Sequence, residues 1–352
     1  MKVLKFGGTS VGSAQRMKEV AKLITDGEQK IVVLSAMSGT TNTLVEISDY
    51  LYKKNPEGAN EIINRLEAKY KQHVNELYST DEYKQKTQEF IKAQFDYIRS
   101  YTKDIFTLFE EKVILAQGEL ISTNMVTNYL QEQGVNAILL PALEFMRTDK
   151  NSEPDPVYIK EKLAAQLEIH PDAEIYITQG FICRNAYGEI DNLQRGGSDY
   201  TASLIGAAVN ASEIQIWTDI DGMHDNDPRI VDKTSPVRHL HFEEAAELAY
   251  FGAKILHPTC VQPAKYANIP VRLLNTMEPT APGTLISNDT EKGKIKAVAA
   301  KDNITAIKIK SSRMLLAHGF LRKVFEIFES YQTSIDMICT SEVGVSVTID
   351  NT

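Results

Sequence analysis

Short apolar segments that alternate with amphipathic ones constrain the fold of this chain more than any other feature. Segments 3–6 and 31–34 have the composition of buried strands, and apolar residues at helical spacing follow each of them. Further strands are predicted at 137–140, 174–178, 213–217 and 271–274. This alternation predicts an α/β fold in three αβα layers, with a mostly parallel central sheet and with ligands beyond the carboxyl ends of its strands.

The pattern changes near residue 295, after the proline-containing segment 279–283 and a polar, charged segment. The residues that follow are predicted to form β-α-β-β, which lacks the last helix and strand of the six-element split βαβ module. We therefore predict two domains, namely residues 1–295, with a mainly helical segment at 58–112, and an incomplete α+β ferredoxin-like module at 296–352. The missing elements would leave a sheet edge uncovered, which predicts a truncated chain whose exposed surface is absorbed by a partner chain or by disorder.

Charge and cysteine content argue against several classes of protein. The 38 Lys and Arg residues and the 47 Asp and Glu residues give a net charge of -9, which argues against binding to nucleic acid or to an anionic membrane. The three cysteines are far apart and form no Cys-x-x-Cys pair, so neither a disulfide framework nor a zinc site is predicted. The sequence has no signal-peptide stretch and no run of roughly 20 apolar residues, and we expect a soluble, cytoplasmic protein.

Residues 195–200 combine a cation, two glycines, a hydroxyl and a carboxylate directly before a predicted helix at 201–211. Amides at a helix N-terminus favour an anion, so this stretch is interpreted as a site where Arg195 binds a carboxylate while the backbone approaches a phosphate. The alternative is an ordinary turn in which Ser198 or Asp199 caps the helix, and taken alone such a stretch is more often a turn of that kind.

A second glycine-rich loop, residues 7–12, lies between a predicted strand and a predicted helix, as phosphate-binding loops do. It lacks the lysine that follows the last glycine of the Gly-x-x-x-x-Gly-Lys motif, and the cation beside it is Lys5, on the strand. A surface lysine is an equally good interpretation of this position alone. The strand-end loops together supply glycine amides, cations and hydroxyls for phosphoryl transfer without a strong base. These loops are 5–10, 35–41, Phe181 with 195–199, and 218–229.

Four motifs, in this order along the chain, resemble those of aspartate kinases, and the resemblance covers nearly the whole chain. They are Lys5-Phe6-Gly7-Gly8-Thr9-Ser10, Arg195-Gly196-Gly197-Ser198-Asp199-Tyr200, Trp217-Thr218-Asp219 and Phe251-Gly252-Ala253-Lys254. The resemblance implies an amino-acid-kinase fold followed by the start of an ACT-type regulatory domain. It also implies transfer of the γ-phosphoryl group of MgATP to the side-chain carboxylate of L-aspartate, which gives 4-phospho-L-aspartate, on the route to lysine, threonine and methionine.

The resemblance further implies a role for each residue that matches the family. Lys5 and Asp199 are the implied catalytic residues, with Lys5 stabilising the transferring phosphoryl group and Asp199 orienting the lysine. Glu119 would face the substrate ammonium and Arg195 its α-carboxylate, in an aspartate pocket made of Ser35, Thr41, Glu119, Phe181, Arg195, Gly196, Gly197 and Ser198. The implied ATP site comprises Lys5, Gly7, Gly8, Thr9, Ser10, Thr218, Asp219, His224, Arg229, Lys254 and Ile255. Lys5 and Asp199 should then lie within roughly 4 Å, or one water, of each other.

Cofactor, effector and assembly expectations come from the same resemblance. Mg²⁺ is expected to arrive with ATP, and no dedicated protein metal site is predicted. His224 stands where many members of the family have tyrosine. The regulatory portion resembles the lysine-sensing type more than the threonine-sensing type, so lysine is the expected effector and a homodimer the expected assembly. The alternatives are another phosphotransferase of this fold, acting on glutamate, carbamate or a nucleotide monophosphate, and a non-catalytic amino-acid sensor.

Overall fold

The protein is described by a computed structural model at residues 1–103, 105–193, 196–228, 230–251, 256–289, 295–311, 318–341 and 343–350. The chain forms two compact units, of which the first holds residues 1–298 and the second residues 299–352. Among the helices in the described ranges, none has the length and apolar character that crossing a membrane requires.

The strands of the first unit are β1 (Lys2–Phe6), β2 (Lys30–Leu34), β3 (Ala137–Leu140), β4 (Ile175–Gln179), β5 (Ile182–Arg184), β6 (Ile190–Asn192), β7 (Ile214–Thr218), β8 (Met223–His224), β9 (Pro236–Val237), β10 (His239–His241), β11 (Val271–Asn275) and β12 (Thr284–Ser287). Within the described residues, eight of them form one sheet in the order β10-β12-β11-β7-β1-β2-β4-β3. The six strands from β11 to β3 are parallel, while β12 is antiparallel to β11. The mostly parallel sheet confirms the predicted fold class.

The helices of this unit are α1 (Ala14–Ile24), α2 (Thr40–Tyr52), α3 (Pro56–Leu77), α4 (Asp81–Ser100), α5 (Leu108–Glu132), α6 (Ala142–Phe145), α7 (Pro156–Ile169), α8 (Gly197–Val209), α9 (Phe242–Tyr250) and α10 (Gln262–Tyr266). Helix α5 begins at a capping box, in which Thr107 Oγ1 accepts from the Phe109 amide and Glu110 accepts from the Thr107 amide. The predicted helical segment therefore consists mainly of α3 and α4.

Alternation along β1 explains the layers on its two faces. Leu4 and Phe6 belong to the core cluster that includes residues of α2, α3, α4 and α5. Val3 belongs to the other cluster, with Ala202 and Ile205 of α8. Because successive side chains of a strand point to opposite faces, Lys5 shares the face of Val3, and the sequence of β1 directs it toward α8.

The structure differs from the sequence prediction between the longer elements. The segment 179–199, predicted as a loop, contains the antiparallel hairpin β5–β6, and α8 begins at Gly197 instead of 201. Its N-cap is Gly196, with φ of 80°, so the alternative of a Ser198 or Asp199 cap is wrong. The pattern also fails to predict β8, β9 and β10, because strands of two or three residues are too short to show an apolar period. It misses β12 as well, in which only Leu285 and Ile286 are apolar.

The second unit consists of β13 (Ile304–Lys310), α11 (Phe320–Ser330), β14 (Met337–Ser341) and β15 (Gly344–Asp350). Its three described strands are antiparallel in the order β13-β15-β14, which confirms the predicted β-α-β-β order. Val324 of α11 and Val345 and Val347 of β15 are buried, whereas every residue of the edge strand β14 is exposed.

Candidate active site

A cavity of about 330 Å³ lies beyond the carboxyl ends of β2 and β4, close to the lower limit of roughly 300 Å³ for small-molecule pockets. Its walls also include residues of α2, α5 and α8. The lining residues are Gly8, Ser35, Ala36, Met37, Ser38, Gly39, Thr41, Asn42, Glu119, Phe181, Gly197 and Ser198. The fold thus brings together six residues of the expected aspartate pocket, namely Ser35, Thr41, Glu119, Phe181, Gly197 and Ser198.

Two helix N-termini contribute to this cavity. Helix α2 begins after Gly39, with φ of 81°, and α8 begins after Gly196, with φ of 80°, and neither helix has a side-chain hydrogen bond at its N-cap. Glycine adopts this left-handed conformation at little steric cost. The Thr40 amide donates to the Met37 carbonyl oxygen and the Asp199 amide to that of Gly196, both at 3.0 Å. Within the described residues no hydrogen bond is found for the Thr41 and Asn42 amides of α2 or for the Gly197 and Ser198 amides of α8, and the positive ends of both helix dipoles favour a negative ligand there.

Glu119 places a buried carboxyl group in the same cavity. Its Oε1 accepts a hydrogen bond of 3.2 Å from the Ala36 amide, and Oε2 has no hydrogen-bond partner among the described residues. Burial raises the pKa of the Glu119 carboxyl to about 8, although the Ala36 amide lowers it. Glu119 Oε2 is thus available to a cationic group of a ligand, and the positive charge of that group would favour the ionised carboxylate.

Close packing of α5 on the loop after β2 brings Glu119 into the cavity. A Cβ added at Gly118 would lie 2.8 Å from the Ala36 Cβ. The Ser122 hydroxyl, one turn further along α5, donates to the Ser35 carbonyl oxygen at 2.8 Å. Gly118 and Ser122 therefore fix the distance between α5 and the loop after β2, both of which line the cavity.

Two hydroxyls connect the loop after β2 to the start of α8. The Ser35 hydroxyl donates to Ser198 Oγ at 2.9 Å. A serine hydroxyl has one hydrogen and two acceptor lone pairs, so Ser198 accepts from Ser35 and keeps its own hydrogen. Ser198 can therefore donate to an acceptor in the cavity.

Phe181 lies in the cavity wall with an unusual backbone conformation. Its φ is 69°, in the left-handed region that bulky residues rarely adopt. The Phe181 amide donates to Thr201 Oγ1 at 3.0 Å, and its carbonyl oxygen accepts from the Leu193 amide at 2.7 Å. Helix α8 and the end of the β5–β6 hairpin thus hold the backbone of Phe181 in this conformation, and residues in such conformations often cluster at functional sites.

Lys5 and Asp199 form an ion pair beside the glycine-rich loop. Lys5 Nζ lies 2.7 Å from Asp199 Oδ1, and the side chains are 10% and 17% exposed. The predicted proximity is confirmed, although 193 residues of sequence lie between them. A Cβ added at Gly7 would lie 3.5 Å from Lys5 Nζ, so the ammonium group lies under the loop whose amides were predicted to contact phosphates.

The glycine-rich loop packs tightly on the loop after β2. The Gly8 carbonyl oxygen accepts from the Ser38 amide at 3.1 Å, and a Cβ at Gly8 would lie 2.9 Å from the Ala36 carbonyl oxygen. No hydrogen bond of the Gly8 or Thr9 amide is found within the described residues. Ser10 is different, because it is 1% exposed and its hydroxyl contacts Thr276 Oγ1 at 3.1 Å.

The other residues of the expected ATP site are more dispersed. Thr218 ends β7 beside the glycine-rich loop, and Asp219 follows it with an exposed side chain. His224 lies on the separate β8–β9 hairpin, where its Nδ1 is 2.8 Å from Thr234 Oγ1, and it does not line the cavity. Four residues expected from the sequence lie outside the described residues. These are Arg195, Arg229, Lys254 and Ile255.

Several residues that shape the cavity were not expected from the sequence. Ala36 binds Glu119 through its amide, and Met37, Ser38 and Asn42 line the cavity. The strand-end loop that holds Ala36, Met37 and Ser38 is a signal that points to them, whereas Asn42 lies in the first turn of α2. Cys260 has no such signal, yet a Cβ at Gly196 would lie 1.9 Å from its Sγ. Cys260 is 2% exposed, so its thiol is buried beneath the turn at Gly196.

Comparison with known proteins gives one consistent family. The model of the amino acid kinase family matches residues 1–275. Aspartokinase 1, chloroplastic, of Arabidopsis thaliana is 38% identical over 366 residues, which cover 99% of this chain and 63% of the plant protein. Lysine-sensitive aspartokinase 3 of Escherichia coli strain K12 is 36% identical over 355 residues, which cover 99% of this chain and 78% of that protein.

A solved structure supports the same relationship. The crystal structure of E. coli aspartokinase III in complex with aspartate and ADP matches with a TM-score of 0.85 and 34% identity, and the match covers 100% of this chain and 79% of that chain. The chain spans 63% to 66% of the length of three Arabidopsis thaliana relatives named aspartokinase.

Proposed function

This chain belongs to the amino acid kinase family, and from that membership we propose that it is an aspartate kinase, which transfers the γ-phosphoryl group of MgATP to the side-chain carboxylate of L-aspartate. One observation carries the proposal. A single cavity combines the Glu119 carboxyl, whose Oε2 has no partner among the described residues, with the N-termini of α2 and α8, which have no side-chain cap, next to the Lys5–Asp199 ion pair. This combination fits a small ligand with one cationic and two anionic groups.

L-Aspartate carries these three charges. Its ammonium group would bind Glu119 Oε2, whose acceptor capacity is unused among the described residues. Its carboxylates would bind the free amides at the starts of α2 and α8, together with the Ser198 hydroxyl. Arg195, expected from the sequence to bind the α-carboxylate, directly precedes the Gly196 N-cap. The β-carboxylate is then the group that reaches toward the glycine-rich loop.

The nucleotide would bind on the Lys5 side of the cavity. The Gly8 and Thr9 amides supply donors for phosphate oxygens, and the absence of a side chain at Gly8 allows the loop to lie against Ala36. Thr218, Asp219, His224, Arg229, Lys254 and Ile255 are proposed to hold the rest of the nucleotide. MgATP supplies the phosphoryl group, and Mg²⁺ is proposed to enter with it.

The chemical step needs no general base, because a carboxylate with a pKa of about 3.9 is ionised at neutral pH. A β-carboxylate oxygen attacks the γ-phosphorus, the bond to the β-phosphate oxygen breaks, and ADP leaves with the electron pair. The residues act by position and charge, as phosphoryl transfer requires. Lys5 would neutralise charge on the transferring group, and Asp199, at 2.7 Å, holds the ammonium group in place.

We expect the protein to form ADP in the presence of MgATP only when L-aspartate is added, as a coupled assay measures. Lys5→Ala should lower kcat by about 10² to 10³, the usual loss for one preorganised electrostatic contact, while L-aspartate still binds in calorimetry. Lys2→Ala, on the same strand but in an exposed ion pair with Glu28, is the matched control and should keep activity. Absence of aspartate-dependent ADP formation by a folded protein would contradict the proposal.

The same assay compares acceptors. Glutamate, carbamate and nucleotide monophosphates should give less than a few per cent of the rate with L-aspartate. Carbamate and nucleotide monophosphates lack the ammonium group that Glu119 selects, and the cavity of about 330 Å³ limits the size of the acceptor, which disfavours glutamate and nucleotides. Higher activity with one of them would assign the chain to another phosphotransferase of the family. Binding of L-aspartate without turnover would indicate an amino-acid sensor.

Three further proposals concern regulation, assembly and location. We propose L-lysine as the effector in preference to L-threonine, since an E. coli relative is named lysine-sensitive. We propose a homodimer, since the edge strand β14 is exposed along its length. We propose a cytoplasmic location, which the three free cysteines favour. Inhibition assays with each amino acid, and light scattering, test the first two.

A further inference from the structure

Three neighbouring strands of the central sheet end in loops that one buried threonine connects. Thr276 follows β11, whose last residue, Asn275, is paired in register with Thr218 at the end of β7. Strand β7 in turn pairs with β1, which leads into the glycine-rich loop containing Ser10. Thr276 is 8% exposed and Ser10 is 1% exposed, so water does not compete for the bonds between them.

Hydrogen-bond directions can be assigned in this cluster. The Thr276 hydroxyl donates to the Thr218 carbonyl oxygen at 2.8 Å, and the Thr276 amide donates to the same oxygen at 2.8 Å. A carbonyl oxygen cannot donate, and a threonine hydroxyl has one hydrogen. In the 3.1 Å contact between Ser10 Oγ and Thr276 Oγ1 the hydrogen must therefore come from Ser10. Ser10 donates to Thr276, and Thr276 donates to the Thr218 carbonyl oxygen.

This direction leaves Ser10 without a donor for a ligand. Its amide donates to the Gly7 carbonyl oxygen at 3.0 Å, and its hydroxyl hydrogen is directed at Thr276. The expected role of Ser10 as a direct phosphate contact therefore does not fit its geometry, whereas the neighbouring Gly8 and Thr9 amides make no such bonds within the described residues. Ser10 instead determines where those two amides lie relative to β7.

We propose that Thr276 is a positioning residue for the nucleotide, which acts through Ser10 and Thr218 to fix the phosphate-binding loop against the loop after β7. The inference rests on the proposed function and deepens it, because both connected loops belong to the proposed nucleotide side of the site. Thr276 itself does not line the cavity assigned to L-aspartate. Its loss should therefore affect the nucleotide and leave L-aspartate binding unchanged.

The test compares Thr276→Val, which keeps the side-chain shape and removes the hydroxyl, with Thr276→Ser, which restores it. Calorimetry with MgADP should show binding about five- to tenfold weaker for Thr276→Val, the effect of one lost hydrogen bond, and binding within about twofold of the parent for Thr276→Ser. KM for MgATP should rise by a similar factor, with the dissociation constant of L-aspartate unchanged. Ser10→Ala should have the same effect, and the double variant should be no worse than the more affected single variant.

Thr87→Val is the matched control for stability. Thr87 is 0% exposed, its Oγ1 accepts from Asn128 Nδ2 at 2.9 Å, and it lies on α4, away from the strand-end loops. It should lower the melting temperature and leave MgADP binding unchanged. Parent-like MgADP binding by Thr276→Val, or equal weakening of MgADP and L-aspartate, overturns the inference.

The MgADP readout also separates this inference from the proposed function. If the parent protein binds MgADP but makes no ADP from L-aspartate, the proposed function fails, while the comparison of Thr276→Val with Thr276→Ser still decides the role of Thr276. If the parent protein does not bind MgADP, both are overturned.

Discussion

Individual residues in this site derive their chemistry from what surrounds them. Nothing in the sequence distinguishes Glu119 from an ordinary surface carboxylate. The fold nevertheless buries it to 4% exposure, and one backbone amide, that of Ala36, donates a hydrogen bond to one of its two carboxyl oxygens. Burial without full hydrogen bonding disfavours the charged form and raises the pKa of its carboxyl to about 8. The same carboxyl is ionised in the unfolded chain above its ordinary pKa of about 4.3.

The dependence on pH follows from this difference. Between the unfolded and folded pKa values the native state keeps a proton that the unfolded chain releases, so Glu119 lowers the stability of the empty protein as pH rises toward 8. A bound ammonium group reverses this by stabilising the carboxylate. L-Aspartate binding should therefore release a proton from Glu119. Well below pH 8 few protein molecules carry the ionised Glu119 that binds the ammonium group, so the dissociation constant of L-aspartate should fall about tenfold for each unit by which the pH rises.

Calorimetry in buffers of different ionisation enthalpy measures this proton directly. We expect close to one proton released per L-aspartate at pH 7, and a weak, nearly pH-independent affinity for Glu119→Gln. Glu111→Gln, on the same helix but outside the cavity, should behave as the parent. An affinity for L-aspartate that is flat from pH 6 to 8 in the parent would show that Glu119 does not bind the ammonium group.

Gly196 offers a second residue-scale prediction, with a control in the same chain. Gly196 and Gly188 have φ of 80° and 83°, but an added Cβ meets Cys260 Sγ at 1.9 Å in the first and nothing within 4 Å in the second. Gly188→Ala should lower the free energy of unfolding by about 1 kcal/mol, for the left-handed conformation alone. Gly196→Ala should lower it by about 1 to 3 kcal/mol more, for overpacking, and should reduce kcat because the turn carries Ser198 and Asp199.

Chemical denaturation measures both glycine variants. Adding Cys260→Ala to Gly196→Ala removes the clashing sulfur and should recover part of the loss, relative to Cys260→Ala alone. Equal losses in Gly196→Ala and Gly188→Ala would show that the turn relaxes away from Cys260 at no cost.

At the scale of secondary-structure elements, the strands that build the site are the most predictable part of the molecule. The six parallel strands lie within one residue of their predicted bounds, because each has three or four apolar residues within four or five positions. The Lys5–Asp199 contact is predicted from the roles that the resemblance to aspartate kinases implies, and it agrees with the way strand-end loops of a parallel sheet meet at one edge. The Ala36 amide, Thr201 and Cys260 are not predictable, because their roles depend on close approaches between segments far apart in sequence.

One ion pair connects α5, which contributes Glu119 to the cavity, with the β5–β6 hairpin and gives an element-scale prediction. Lys112 Nζ of α5 lies 2.6 Å from Asp191 Oδ1 of β6, and the side chains are 22% and 12% exposed. Lys112→Met leaves a largely buried carboxylate without its partner and should lower the free energy of unfolding by about 3 kcal/mol. Lys2→Met, which breaks the exposed pair with Glu28, should cost at most about 1 kcal/mol.

Urea denaturation at neutral pH compares these lysine variants. Adding Asp191→Asn to Lys112→Met removes the stranded charge and should recover most of the loss. Similar, small losses for Lys112→Met and Lys2→Met would show that the hairpin β5–β6 is held on α5 by apolar contacts alone.

At the scale of the whole molecule, the central sheet and the cavity lie entirely in residues 1–298. The last residues of this unit are bonded to it, since the Val298 amide donates to the Asp225 carbonyl oxygen at 2.8 Å and Lys296 Nζ lies 3.1 Å from Glu244 Oε2. The domain boundary expected from the sequence at 295 would remove both contacts, which is a reason to place it after 298.

A chain ending at Val298 should therefore fold and bind MgADP and L-aspartate with parent-like affinity. A chain ending at Asp289 loses the Lys296 and Val298 contacts and should melt at a lower temperature, as circular dichroism would measure. Aggregation of the longer truncated chain, or equal melting temperatures of the two, would show that these contacts do not define the end of the unit.

The Cys260 thiol, which packs against Gly196, can report when the turn at Gly196 opens. Cys260 is buried, and burial raises the pKa of its thiol to about 12, whereas Cys339 is exposed. An alkylating reagent should modify Cys339 at once and reach Cys260 only when the turn above it lifts. Mass spectrometry of the peptide that contains Cys260 follows the slow modification. Its rate measures how often the turn opens in the native protein, and the experiment needs no introduced label and no coupled enzyme.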